Sequence, residues 1–295
     1  MIENPIPWPH GKRCCVSLTW DLDIESGLAY RHREKITDLL STRSLLRYDS
    51  TVGVPRLVKI FRDLELRLTF FVPGWVIERY PKTIDLLIEN GHEIGLHGYM
   101  HERSHELSAD EEADLLQRAI AVYVRQVGSK PKGWRAPGFT FSSRSADLLV
   151  DAGFVYDSSL MGGEIPSLVN TRKGSLVEFP IDWTLDDWPQ YMHNRDFDFL
   201  MQIASPNRAM EVFRSEFDAA RTYGAHWISI WHPFLSSRLA RLSAIVELVE
   251  HMRKAGDVWF ARLEEVNDHV RALMESGKWE PRVDQLPFHR QSDIG

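Results

Sequence analysis

Cysteine is nearly absent from this chain: there are two, Cys14 and Cys15, side by side. Neighbours on an extended strand face opposite ways, so a bond between them would be strained. Two reduced thiols suit a reducing cytoplasm, the expected location. No apolar run reaches the roughly 20 residues that a helix needs to cross a bilayer, so no membrane partner is expected. The first eleven residues are rich in proline and polar groups and hold no apolar signal core. An excess of positive charge is also missing. The 35 basic and 42 acidic residues leave a net charge of −7, which argues against nucleic acid as the main partner. No glycine-rich phosphate loop opens any helix, so no organic cofactor is expected.

What the chain does have is size and rhythm. Its 295 residues are 43% hydrophobic and 26% charged, ordinary for a globular protein. Such a length allows two domains, yet α/β barrels often reach it as one; residues 1–295 are read as a single catalytic domain. Short apolar runs alternate with amphipathic stretches. Strands are expected over Cys14–Trp20, Leu68–Val72, Glu93–His97, Trp134–Pro137, Phe154–Tyr156, Leu176–Trp183, Trp227–Trp231 and Val258–Phe260. Helices are expected between them, several stopped by glycine, with Ser108 and Glu111 forming a capping box. Seven or eight such units imply a parallel sheet closed into a β/α barrel. In a barrel, reactive residues belong just after the apolar runs. Segments 24–52 and 182–208 are longer than a barrel connection needs, and are read as loops capping the site.

Four clusters follow apolar runs. Asp21-Leu22-Asp23 offers two carboxylates on one side of an extended chain; one can hold a metal while the other acts as a base. Alone, Asp-x-Asp is more often a solvated turn. His97 and His101 can reach one metal, and neutral imidazole is a standard zinc ligand. Arg135 can fork onto a carboxylate and keep it ionised. His232, after a strongly apolar strand, can protonate a leaving nitrogen. A lone arginine or histidine is usually structural, so these gain weight from company. His101-Glu102-Arg103-Ser104-His105 matches a metalloprotease pattern, but that chemistry needs the motif inside a helix. Here it precedes the helix cap Ser108, so His105 is read as a loop residue.

Together these residues resemble the polysaccharide deacetylase family, the NodB-homology group or carbohydrate esterase family 4, over roughly Val16 to Phe234. Gly91 to His101 resembles the family's H-x-x-x-H metal motif with its lead-in. Asp21-Leu22-Asp23 resembles the first motif, Arg135-Ala136-Pro137 the third and Ile230-Trp231-His232 the last. The resemblance implies a distorted (β/α) barrel of about seven strands, of the NodB-homology type. It implies Asp21 as general base, Asp23, His97 and His101 as ligands of a divalent metal (zinc is the expected ion), Arg135 orienting Asp21, and His232 as general acid. Family members usually have adjacent aspartates in the first motif, whereas Leu22 separates them here. With the run Phe179 to Trp188, this resembles an atypical cytoplasmic branch that includes cyclic imide hydrolases, metal-free allantoinases and peptidoglycan-deacetylase-like proteins. The branch also implies a homo-oligomer, with a tetramer as the expected state.

The expected activity is hydrolysis of a non-peptide amide bond by metal-activated water. A small cyclic imide or ureide is preferred as substrate, because the long Trp-rich segments can roof a pocket and no export signal is seen. An N-acetylated sugar or peptidoglycan fragment is the alternative, and a non-catalytic binding protein on the same fold is a third reading. Trp183, Trp188, Asp186, Asp187, Pro137 and Tyr99 are expected to bind substrate; that one of Asp186 and Asp187 pairs with His232 and raises its pKa, and that both are plain lid residues, are readings of equal weight.

Overall fold

The computed structural model describes residues 2–289. The first strand arrives in two pieces, β1 (Cys14–Ser17) and β2 (Thr19–Asp21). Next come α1 (Ser26–Arg31), α2 (Leu40–Tyr48), α3 (Val54–Asp63), β3 (Thr69–Val72), α4 (Gly74–Arg79), α5 (Pro81–Glu89), β4 (Glu93–Leu96), α6 (Ala109–Val127), β5 (Gly133–Trp134), α7 (Ser145–Ala152) and β6 (Tyr156–Asp157). An antiparallel pair, β7 (Ser167–Asn170) and β8 (Ser175–Glu178), leads into α8 (Trp188–Tyr191) and a small ribbon, β9 (His193–Asn194) with β10 (Phe199–Leu200). The chain closes with α9 (Pro206–Tyr223), β11 (His226–Ile228), α10 (Pro233–Ser236), α11 (Leu239–Lys254), β12 (Val258–Phe260), α12 (Leu263–Glu275) and β13 (Val283–Gln285).

β2, β3, β4, β5, β6 and β8 pair in parallel, in that order, while β11 and β12 flank β1. Single parallel bridges, Trp20 to Trp231 and Asp186 to Ile230, join the two sheets into a ring. This is the expected distorted barrel. β7 and β13 extend the sheet outside the ring, and neither was legible beforehand, because both are short and lack an apolar run.

Side-chain alternation builds the two sides of the wall. Cys14, Val16, Leu18 and Trp20 pack in one cluster with Phe70, Leu96 and the apolar stripes of the helices. Cys15, Phe71, Tyr156, Phe179, Ile228 and Ile230 pack in another, inside the ring. The same period carries Ser17, Thr19 and Asp21 to the inner side, so Asp21 faces inward at the C-terminal rim. Helices follow the same logic: α3 buries Leu57, Val58 and Phe61, each worth about 1.5–3 kcal/mol of transfer free energy. Gly95 and Gly133 leave room for the inner aromatics; a Cβ on Gly133 would collide with the Tyr156 ring, and one on Gly95 with Phe71. Ser108 caps α6 with Glu111 in the expected reciprocal box.

The two long segments are more ordered than loops. Segment 24–52 folds into α1, α2 and the start of a wide helical turn, Asp49–Gly53. It meets segment 182–208: Thr42 donates to Asp196 at 2.5 Å, Asn194 donates to Thr42, and the His32 ring donates to the Asp196 carbonyl.

Candidate active site

Asp21 ends β2 and Arg135 follows β5, so both point into the ring at the same rim. Arg135 is fully buried. Its Nη1 donates to Asp21 Oδ1 and to Thr19 Oγ1, both at 2.8 Å. Its Nε donates to the Ser158 carbonyl at 3.1 Å and its Nη2 to Ser158 Oγ at 3.0 Å. The guanidinium also lies 4.2 Å from the Phe71 ring centre. Burial alone would push the Asp21 carboxyl up; Arg135, then His97 and His232, more than offset this and hold it below the usual carboxylate range. Asp21 is therefore an ionised carboxylate with one oxygen clamped and Oδ2 facing His97 Nε2 at 3.9 Å.

Asp23, His97 and His101 come together beside it, their ligand atoms all within 4.8 Å of one another. His97 Nδ1 donates to the Arg135 carbonyl at 2.8 Å, which leaves its Nε2 as a lone pair aimed at Asp23. His97 Nε2 lies 3.6 Å from Asp23 Oδ1, and His101 Nε2 lies 3.4 Å from Asp23 Oδ2. A tetrahedral ion with nitrogen and oxygen ligands at about 2.0–2.2 Å would space its ligand atoms about 3.4 Å apart. Asp23 Oδ1 is buried without a donor among the described residues. Burial pushes His97 down, and pushes His101 down to about 4, so both are neutral imidazoles near pH 7. Burial pushes the Asp23 carboxyl up. The set fits a divalent metal. His101 takes a left-handed backbone, φ 64°, a strain of order 1–3 kcal/mol that tends to mark functional sites.

His232 closes the far side, its Nε2 3.8 Å from Asp23 Oδ2. Asp187 accepts from three donors on this turn: the His232 N–H at 2.9 Å, His232 Nδ1 at 2.7 Å and Ser236 Oγ at 2.5 Å. Burial would lower the imidazole, but Asp187 overrides it and His232 is pushed up to about 10. It is a cation at neutral pH with Nε2–H free to give. Asp186 accepts from the Trp188 N–H at 2.7 Å and is driven up to about 8, chiefly by burial.

The placement of the remaining expected residues is mixed. Trp188 stacks edge-on against His232, 5.3 Å between ring centres. Trp183 is 46% exposed at the rim and packs on Phe139 at 4.7 Å. Asp187 is fully buried and committed to His232, so it supports that residue and does not meet substrate. Tyr99 is also corrected: its hydroxyl donates to Glu78 at 2.8 Å and Arg118 covers its ring, both outside the barrel. Pro137 is buried against Gly98, where a Cβ would stand 2.8 Å from its ring, so it shapes the His97–His101 turn. His105 lies in a single exposed turn, Ser104–Glu106, so the protease pattern is an accident of sequence.

Ser158, Thr19 and Glu102 were missed. Ser158 follows β6 at the rim, the very position where reactive residues were sought, but a Ser-Ser pair carries no motif signal. Glu102 accepts from the Tyr99 and Met100 N–H groups at 2.8 and 2.6 Å, bracing the turn between the two ligand histidines.

The family model for polysaccharide deacetylase matches residues 43–156. A solved structure described as a polysaccharide deacetylase, from Mycobacterium smegmatis, is 38% identical over 96% of this chain and 97% of its own, with a TM-score of 0.89. The chain belongs to the polysaccharide deacetylase family. A peptidoglycan deacetylase from Helicobacter pylori is 29% identical over 244 residues, covering 74% of this chain and 83% of that one. A Puue allantoinase, at 22% identity and a TM-score of 0.81 over 92% of this chain and 95% of its own, shares the fold. This deacetylase-family chain is accordingly a metal-dependent hydrolase of carbon–nitrogen bonds other than peptide bonds, and the reading as a non-catalytic binding protein falls. Among the described residues no helix is long and apolar enough to cross a membrane.

Proposed function

We propose that the protein hydrolyses the acetamide of an N-acetylated amino sugar or short peptidoglycan fragment. The observation that carries this is the arrangement of Asp21 and His232 on either side of the Asp23–His97–His101 set, one at 3.9 Å from His97 and the other at 3.8 Å from Asp23. A divalent ion held by Asp23, His97 and His101, for which we expect zinc, would polarise the amide carbonyl and acidify a water. Asp21 Oδ2 takes the proton of that water, while Arg135 keeps the carboxylate ionised and fixed. His232 Nε2 gives its proton to the departing nitrogen as the C–N bond breaks. Asp187 holds the imidazole in orientation and stabilises its charge. The products are acetate and a free amine.

The names of the Mycobacterium and Helicobacter relatives support an acetylated sugar; nothing in the comparisons supports the cyclic imide preferred from sequence. One observation favours a small substrate all the same. Asp21, Asp23, His97 and His232 are each at most 7% exposed beneath the joined segments, and Gly27 of α1 packs on the His101 ring. A single sugar or chain end fits such a site better than the middle of a polymer, and so does a cyclic imide. The test follows acetate release from N-acetylglucosamine oligomers and ring opening of succinimide, with Asp21→Asn as the control. Acetate release that the substitution abolishes supports the proposal. Ring opening alone would replace it with the small-amide reading.

A further inference from the structure

Two buried carboxyls, Asp157 and Glu178, have no part in the chemistry above. They sit opposite each other in register on β6 and β8, 1% and 2% exposed. Asp157 Oδ1 accepts from Ser159 Oγ at 2.6 Å. Glu178 Oε1 accepts from the Ser159 and Leu160 N–H groups at 3.2 and 3.0 Å. The other oxygens, Asp157 Oδ2 and Glu178 Oε2, have no partner among the described residues, and burial pushes both carboxyls up. Two buried carboxylates side by side on paired strands would repel strongly. The pair therefore holds one proton. Burial, then the facing Asp157, pushes Glu178 well up.

The pair grips Ser158 and Ser159, and these two residues grip Arg135. Ser158 accepts Arg135 Nε and Nη2 through its carbonyl and hydroxyl. Ser159 Oγ, donating to Asp157, accepts from the Ala136 N–H at 2.8 Å. Arg135 in turn holds Asp21 with its side chain and His97 with its carbonyl. We propose that Asp157 and Glu178 are a proton-sharing carboxyl pair that positions Arg135, and through it Asp21, for hydrolysis. Arg135 is the nearby charge that faces the pair. The inference rests on Asp21 acting as the base.

The test is a double-mutant cycle on acetate release from N-acetylglucosamine oligomers, with zinc content and circular dichroism held to wild type. Glu178→Ala is expected to lower kcat about 10–100-fold, the usual cost of losing such a support, with KM nearly unchanged. Glu178→Gln should restore kcat, because its amide donates to Asp157 while its oxygen keeps the two N–H groups. In an Arg135→Met background, Glu178→Ala should add no further loss. Ser159→Ala, a milder cut of the same link, should behave like Glu178→Ala and serves if that variant does not fold. Without any substrate, the Arg135 Nε–H should exchange slowly in wild type and Glu178→Gln and fast in Glu178→Ala. Independent, multiplying losses, or a Gln variant as poor as Ala, overturns the inference alone. An Arg135→Met variant with wild-type kcat overturns the reading of Asp21 as well.

Discussion

Asp187→Asn isolates the device that keeps His232 an acid. In the native site Asp187 lifts the imidazole from 6.5 to about 10 against the downward pull of burial. The asparagine keeps the shape and one acceptor but removes the charge. The imidazole should then fall toward its ordinary value of about 6.5, because burial, the largest influence, is opposed only by the weaker pulls of Asp186 and Asp23. The sign follows from the role: a general acid works while protonated, so its falling pKa drags the alkaline limb of kcat/KM downward. With a pKa near 6.5, about three quarters of the molecules carry the proton at pH 6, but only about 1% at pH 8.5. Wild type stays protonated at both. The variant should therefore lose roughly 100-fold more activity, relative to wild type, at pH 8.5 than at pH 6. The assay is kcat/KM for acetate release across pH 5.5 to 9.5, with zinc content measured at each end. A loss equal at every pH would mean that Asp187 only orients the ring, and would refute the electrostatic argument.

Further outcomes test the rest of the site. Asp23→Ala or His97→Ala should lose bound metal, measured by elemental analysis, with an unchanged circular dichroism spectrum. Asp21→Asn should keep the metal and lose turnover, separating base from ligand. Gly98→Ala places a Cβ 2.8 Å from Pro137 at a φ of 71°; it should lower stability by about 1–3 kcal/mol in thermal melts and weaken metal binding in titration, because the turn carries both histidines. Phe61→Ala, fully buried on α3 beneath Trp20, should cost about 3–5 kcal/mol in denaturant melts while leaving metal stoichiometry intact.

The sequence by itself determined the barrel and which residues meet at its rim. Both are local properties: a period of two in the strands, a helical period between them, and reactive residues set directly after apolar runs. Asp21, Asp23, His97, His101, Arg135 and His232 were all legible that way, because strand ends of a parallel barrel must converge on one rim. Only the tertiary structure decided how those groups are held. Asp186 and Asp187 are adjacent and identical in type, and it is the turn at His232, 45 residues on, that makes Asp187 the partner. Tyr99 reads as well placed for a substrate until the chain bends at Gly98 and sends its hydroxyl to Glu78. Segments 24–52 and 182–208 look like loops because polar contacts join them, His32 and Thr42 to Asp196 and Asn194 to Thr42, and such contacts leave no apolar period to read. The Asp157–Glu178 pair arises from cross-strand register, which joins residues 21 positions apart. Such contacts depend on which surfaces the folded chain brings together, and no local pattern encodes them.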